Sequence, residues 1–290
     1  MLTIMKGGLL MFFDPFILLF SFCVGILGAM FGGIQTFICT GFAGVIIYVL
    51  QAAGLAPGQM GDLVLNTLLL PAIIFNGAAV ATAVAARKYP EIKGWDITKS
   101  LIFTHDPLVM LIGGCAGSLG YLLFSAFTYL NLPTDAGSLA IVICGVIVRL
   151  TLSEGRRYNP DATAYYKKEG IRYWVFQTIN YLAVSIVFAL LLKEAGPAYY
   201  GMGFNISALL LIFGYAGGGQ KVPTTHQITC ILGTALGLTS GNIFVAVLFG
   251  WISNMIYLLF ARYFNEDCST HIDPPAVAIA VVTMLLKVFF

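Results

Sequence analysis

Short polar breaks divide this chain into about ten apolar stretches, and no other feature restricts its possible folds so strongly. The stretches run roughly over 9–31, 34–53, 64–86, 106–130, 137–152, 172–193, 202–218, 223–239, 241–262 and 274–290. Several approach the ~20 residues that a helix needs to cross the hydrocarbon core of a bilayer. They are apolar throughout and lack the alternation of an outer-membrane strand, so helices are expected. Composition agrees. The chain is 59% hydrophobic and 10% charged, with a mean hydropathy of +0.91, whereas a soluble domain carries about 25% charged residues. The expected fold class is an all-α integral membrane protein with about ten transmembrane helices. Its expected location is the cell (inner) membrane, crossed many times, with the lipid bilayer as its first partner.

A formal net charge of +2 with no basic tract gives nucleic acid nothing to bind. The six cysteines (Cys23, Cys39, Cys115, Cys144, Cys230 and Cys268) form no CxxC pair. All but Cys268 lie inside apolar stretches, where a thiol behaves as a small hydrophobe. Neither a disulfide framework nor a zinc site is expected, and no cofactor is implied. At the N-terminus, Asp14-Pro15 interrupts the first apolar run, and bulky Phe20 and Phe22 stand where a signal peptide would place small residues. This segment is expected to be retained. The sequence closes at Phe290 without a polar tail, which leaves room for a longer natural chain.

Orientation follows from Lys and Arg. Segment 87–100 holds Arg87, Lys88, Lys93 and Lys99, and the next basic segment holds Arg156, Arg157, Lys167, Lys168 and Arg172. With ten spans and both termini outside, every basic loop falls in the cytoplasm, as the positive-inside rule requires. Lys6 alone dissents. The organisation expected is a first membrane repeat over 1–152, a cytoplasmic linker loop over 153–171 and a second membrane repeat over 172–290.

Three landmarks recur in order. Gly32-Gly33-Ile34-Gln35 is matched by Gly217-Gly218-Gly219-Gln220, Ala86-Arg87 by Ala261-Arg262, and Thr104-His105-Asp106-Pro107 by Thr270-His271-Ile272-Asp273-Pro274. Partners lie six spans apart, an even number, so the two degenerate copies would point the same way. Such parallel repeats are related by an axis along the membrane normal. Their helices would be broken at glycine and proline.

The two His–Asp–Pro motifs read as helix starts, with Asp106 and Asp273 as N-caps and Pro107 and Pro274 in the first helical position. A helix start carries unpaired N–H groups and positive potential. In the simpler reading each Asp only caps and each His faces cytoplasmic water. In the functional reading His105, Asp106, His271 and Asp273 converge on one central site. Segment 217–225 (GGGQKVPTT) cannot hold a regular helix and frees backbone polar groups. Irregular backbone at membrane depth must be covered by protein or line a cavity. It is either a cytoplasmic turn anchored by Lys221 or a solute-contacting loop. The substrate-binding set is therefore Gln35, His105, Asp106, Gln220, Lys221, Thr224, Thr225, His226, His271 and Asp273. Of the remaining polar residues, Arg149 reads as snorkelling from a helix end. Asn66, Asn76, Asn180, Asn205 and Asn254 read as interhelical hydrogen-bond partners. Asp14 reads as a helix start, and Gly113, Gly114 and Gly117 as permitting close helix packing.

Segments 221–233 (KVPTTHQITCILG) and 270–280 (THIDPPAVAIA) resemble the HPP family of four-span membrane domains, over about residues 217–290. That family is named for a His-Pro-Pro motif, and some members are linked to nitrite transport. Here Asp273 precedes the prolines and His271 stands two places earlier, a departure from the family pattern. The resemblance implies an anion as solute. The function expected overall is a permease for a small polar or ionic solute, with proton coupling through His105 or His271, since imidazole changes charge near neutral pH. An ion channel or a lipid flippase is the alternative, and a homo-oligomer is allowed. An intramembrane enzyme fits less well, because the chain has no HExxH or GxSxG motif.

Overall fold

The computed structural model describes residues 14–55, 58–216 and 222–290, and among these residues the regular structure is entirely helical. The elements are α1 (Pro15–Phe31), α2 (Gly33–Ala52), α3 (Gly58–Leu63), a π-helical turn (Val64–Leu68), α4 (Pro71–Ala85), α5 (Pro107–Tyr129) and α6 (Ala136–Thr151). After the central connection come α7 (Ala162–Ala195), α8 (Met202–Leu210), α9 (Phe213–Ala216), α10 (His226–Leu238), α11 (Ile243–Phe264) and α12 (Pro274–Phe289).

Local chemistry explains where these helices begin. Asp14, Asp106, Asp135, Asn242 and Asp273 each accept a backbone N–H from the first turn of the helix that follows. Such a cap contributes about 1 kcal/mol. Pro15, Pro107 and Pro274 occupy the first helical position, where no amide hydrogen is missed. Gly32, at φ +97°, turns α1 directly into α2. The π-turn and Pro71 break the third stretch, so that α4 starts afresh below its own entry.

Each apolar stretch contains helix, but the lengths differ from the expectation. Among the described residues, five segments are long and apolar enough to cross a membrane: Gly33–Ala52, Met60–Ala85, Pro107–Tyr129, Ala162–Ala195 and Ile243–Phe264. Pro15–Phe31, Ala136–Thr151, His226–Leu238 and Pro274–Phe289 are apolar but shorter. Phe176, Ile179, Val187 and Phe244 are among many large apolar side chains left exposed. Such an exterior suits hydrocarbon rather than water.

In the first half α1, α4 and α5 form a tightly packed triad, and in the second α7, α10 and α11 form another, joined by α12. The first triad leaves no room for a Cβ at Gly25, which abuts the Gly113 carbonyl, or at Gly120, which abuts Ala72. The halves meet where α2 packs on α8 and α6 packs on α12. A shared core of Phe37, Phe75, Ala140, Ile141, Ala208, Leu211 and Ala276 lies between them.

Two expectations need correction. The loop over 153–171 is polar connection only as far as Asp161. From Ala162 the chain is already helical, with a kink at Gly170 (φ 62°, ψ −161°). Tyr166 stacks on Trp174 at 5.0 Å, and Arg262 lies 3.7 Å over the Tyr165 ring, so aromatic packing holds this turn in place. The correspondence of the first four stretches with the last four is not carried by the packing either. α1 packs chiefly against α4 and α5, whereas α8 packs against α2 and α10. The two His–Asp–Pro motifs thus stand in unlike surroundings.

Candidate functional site

A cavity of about 240 Å³ lies between the two halves. Ile34 and Phe37 of α2, Pro71 and Phe75 of α4, the connection at Trp95–Thr98 and Ile141 of α6 line one side. Thr224, His226, Tyr257, Asn265, Glu266, His271, Asp273 and the start of α12 line the other. The wall is mostly apolar, with polar groups gathered where helices begin or end. That is the usual composition of a small-molecule site.

The best-defined polar feature is the pair of His271 and Asp273. His271 is only 7% exposed. Its Nδ1 lies 3.1 Å from the Trp95 carbonyl oxygen and its Nε2 lies 3.3 Å from Asp273 Oδ1. A carbonyl oxygen can only accept, so Nδ1 carries hydrogen. An ionised carboxylate also only accepts, so the second contact needs one more proton on Nε2 or on Asp273. With that proton present, the two side chains share it in the cavity wall. Asp273 Oδ2 meanwhile accepts from Ala276 N–H at 2.8 Å and caps α12. A single carboxylate thus ties the imidazole to a helix start.

His226 opens α10 opposite. Its ring lies 4.5 Å from that of Phe37 and 5.8 Å from that of Phe204. Its Nδ1 is buried and has no hydrogen-bond partner among the described residues. Behind it Gln227 donates to the Thr224 carbonyl at 2.9 Å and to Asn254 Oδ1 at 3.0 Å, and Ser253 donates to the Gln227 carbonyl. This buried network fixes the turn that presents Thr224 and His226.

Of the residues expected to bind solute, Thr224, His226, His271 and Asp273 line this cavity. Thr225 is buried beside them at the start of α10. Gln35 donates from Nε2 to the carbonyl of Thr98, a lining residue, at 2.5 Å, and so props the wall from outside. Gln220 and Lys221 lie outside the described residues. His105 and Asp106 do not join the site. His105 is exposed in a left-handed turn at φ 47°. Asp106 caps α5 and accepts from Lys88 Nζ at 2.7 Å. That bond from Lys88, with the backbone N–H groups at the helix start, holds the Asp106 carboxyl below the usual range. The motif at 104–107 therefore does a capping task, and the expectation of one shared His–Asp centre is corrected.

Arg149 is a second correction. It is 3% exposed rather than snorkelling. Its guanidinium donates to Thr270 Oγ1 at 2.7 Å and to the carbonyls of Thr270 at 2.5 Å, Arg157 at 2.5 Å and Phe264 at 3.1 Å. Three chain segments close over the end of α6 and replace water around the charge, which a position near a helix end does not reveal. The asparagines also depart from expectation. Asn76, Asn180 and Asn205 donate to carbonyls of their own helices, and Asn254 alone among them bonds across helices. Trp95, Tyr257 and Glu266 carry no sequence signal that marks them as lining. Glu266 is paired with Arg262 at 2.7 Å. Among the described residues no three His, Cys, Asp or Glu side chains gather in a way that could hold a metal ion.

The profile of a family of unknown function, DUF7973, matches residues 9–155 and 171–290. No curated protein and no solved structure matches the chain.

Proposed function

The chain belongs to the DUF7973 family, and from its cavity we propose that it is a membrane transporter for a small polar or ionic solute. The observation that carries this reading is the His271–Asp273 pair set in the wall of a cavity between two helical halves. A volume of about 240 Å³ corresponds to roughly eight waters at about 30 Å³ each, which suits a small solute. The helix starts and the two histidines supply the polar contacts that fix orientation. Helices interrupted beside a cavity match the way secondary transporters place solute near discontinuous segments.

Coupling to protons follows from the same geometry. A solute that bonds His271 Nε2 or Asp273 displaces their mutual contact and changes where the proton sits. Binding and proton release are then linked in one site. The multi-pass arrangement, with the basic loops on the cytoplasmic side of an inner membrane, belongs to this proposal. So does action as a carrier rather than a channel.

The test is solute uptake by purified protein in liposomes, read with an internal pH dye, with nitrite, nitrate, formate, acetate and small amines offered in turn. One of these should drive uptake in the wild type. His271→Ala should reduce that uptake by roughly tenfold or more, while His105→Ala leaves it unchanged. Undiminished uptake by His271→Ala protein that is well folded by gel filtration overturns the proposal.

A further inference from the structure

The packing of the helices repeats, but with a period of five. In the first half α1 packs on α4 and α5, α4 packs on α5, both α4 and α5 pack on α6, and α2 packs on α4. In the second half α7 packs on α10 and α11, α10 packs on α11, both α10 and α11 pack on α12, and α8 packs on α10. Substituting α7, α8, α10, α11 and α12 for α1, α2, α4, α5 and α6 maps one scheme onto the other. The principal contacts between halves, α2 with α8 and α6 with α12, each join a helix to its own counterpart. A two-fold axis requires that.

Sequence supports the same alignment. Tyr121-Leu122-Leu123-Phe124 in α5 recurs as Tyr257-Leu258-Leu259-Phe260 at the equivalent place in α11, with Gly114 matched by Gly250. Asp135 and Asp273 cap α6 and α12, which are both 16 residues long. Counted from those caps, the buried positions of α6 (Ser138, Ala140, Ile141, Cys144 and Val148) correspond to buried Ala276, Ala278, Ile279, Val282 and Leu286 of α12. Arg149 then corresponds to Lys287. Arg149 donates to the Thr270 carbonyl just before α12, and Lys287 Nζ donates to the Thr134 carbonyl just before α6.

The direction is settled by who touches whom. Thr134, before α6, bonds to Ala280 and Lys287 far along α12, while Arg149 at the end of α6 bonds to Thr270 before α12. The two helices are antiparallel. In α2 and α8, Gly41 abuts Ala208 and Leu209, and Tyr48 abuts Gly201, again antiparallel. A small pair, Gly41 against Ala208, sits at the α2–α8 crossing, where the axis would pass. Counterparts five helices apart point oppositely, so the axis lies in the membrane plane rather than along its normal.

We propose that residues 14–152 and 162–290 are inverted repeats, and that the cavity has a counterpart at the opposite membrane face around Tyr121, Ser125 and Asp135. This inference rests on the transporter reading. Tyr121, Ser125 and Asp135 are the images of Tyr257, Ala261 and Asp273, all three of which line the cavity. The counterpart receives the same small polar solute after the first cavity closes, when the two halves exchange conformations. It carries no image of His271, whose place is taken by Pro133.

Cysteine labelling of the full chain tests this without any solute. The six native cysteines are replaced, and Tyr257→Cys, Tyr121→Cys or Ser125→Cys is introduced. A membrane-impermeant thiol reagent is then applied to right-side-out and inside-out vesicles. Tyr257→Cys should react from one face, and Tyr121→Cys and Ser125→Cys only from the other. Adding Thr134→Ala and Lys287→Ala removes the bonds that clasp the counterpart face. Since each hydrogen bond shifts an equilibrium roughly fivefold, losing both should raise labelling at 121 or 125 by roughly 25-fold while labelling at 257 falls. Reaction of 121 and 257 from the same face overturns the inversion. Absence of labelling at both 121 and 125, or labelling that rises at one face without falling at the other, overturns the alternation. A failure of nitrite or any other solute to be taken up leaves this reciprocity intact, so the two proposals fail separately.

Discussion

Replacing Arg149 with Met tests how the wall of the cavity is held. The side chain is 3% exposed and its guanidinium donates to three backbone carbonyls and to Thr270 Oγ1. Met keeps most of the aliphatic stem and none of the donors. Each buried acceptor left unsatisfied costs about 1–3 kcal/mol, so three carbonyls give a gross penalty of roughly 3–9 kcal/mol. Against this, the variant no longer desolvates a charge, which relieves several kcal/mol. The balance is a destabilisation of about 3 kcal/mol. At roughly 2–4 °C per kcal/mol for a chain of this size, the melting temperature should fall by about 6–12 °C. Gel filtration of heated, detergent-solubilised protein reads this directly. Arg149→Lys, with three donors on a shorter head, should fall about midway. Because Thr270 directly precedes His271, uptake per folded molecule should drop as well. A Met variant that melts within about 2 °C of the wild type would refute the reasoning, and the guanidinium would then be only a passenger in a preformed loop.

Asp273→Asn keeps a cap for α12 but cannot hold the proton shared with His271, so stability should change by less than about 1 kcal/mol while uptake loses its pH dependence; an unaltered uptake–pH profile contradicts this. Gly120→Ala should prevent recovery of monodisperse protein, because its Cβ would meet the Ala72 backbone rather than a movable side chain; normal gel-filtration behaviour would count against the packing described. Asp106 has a lowered pKa, chiefly through Lys88, so its stabilising contribution is complete above the ordinary Asp value of about 3.9 and is lost as pH falls through the lower folded value. Melting curves between about pH 5 and 2 should therefore show less acid-induced loss in Lys88→Met than in the wild type. Tyr158→Cys should react with an impermeant reagent only from the cytoplasmic side, and reaction from outside reverses the proposed orientation.

The helix starts are readable from the chain alone because they are local. An Asp followed by Pro, at 14–15, 106–107 and 273–274, caps a helix whatever surrounds it, since the bonded N–H groups belong to the next few residues. The apolar stretches are equally local, and their restriction to helix follows from the need to satisfy every backbone group without water. The central repeat is partly legible too. The two Tyr-Leu-Leu-Phe runs are visible in the sequence, but glycine and histidine landmarks point to a different pairing. Gly and Pro recur at any helix break, whereas the equivalence of two helices lies in which positions are buried.

The fate of the histidines belongs to the tertiary structure. His105 and His271 have the same neighbours in sequence, an upstream Thr and a downstream Asp that caps a helix. One sits in an exposed turn whose Asp is taken by Lys88, 18 residues away, and the other is closed over by Trp95, 176 residues away. Arg149 likewise becomes buried because Thr270, 121 residues on, folds back over it. Hydrophobicity and capping act over one or two turns of chain and can be read from it. Enclosure depends on which distant segments converge, and only the packed halves bring Trp95, His226, His271 and Asp273 around one space.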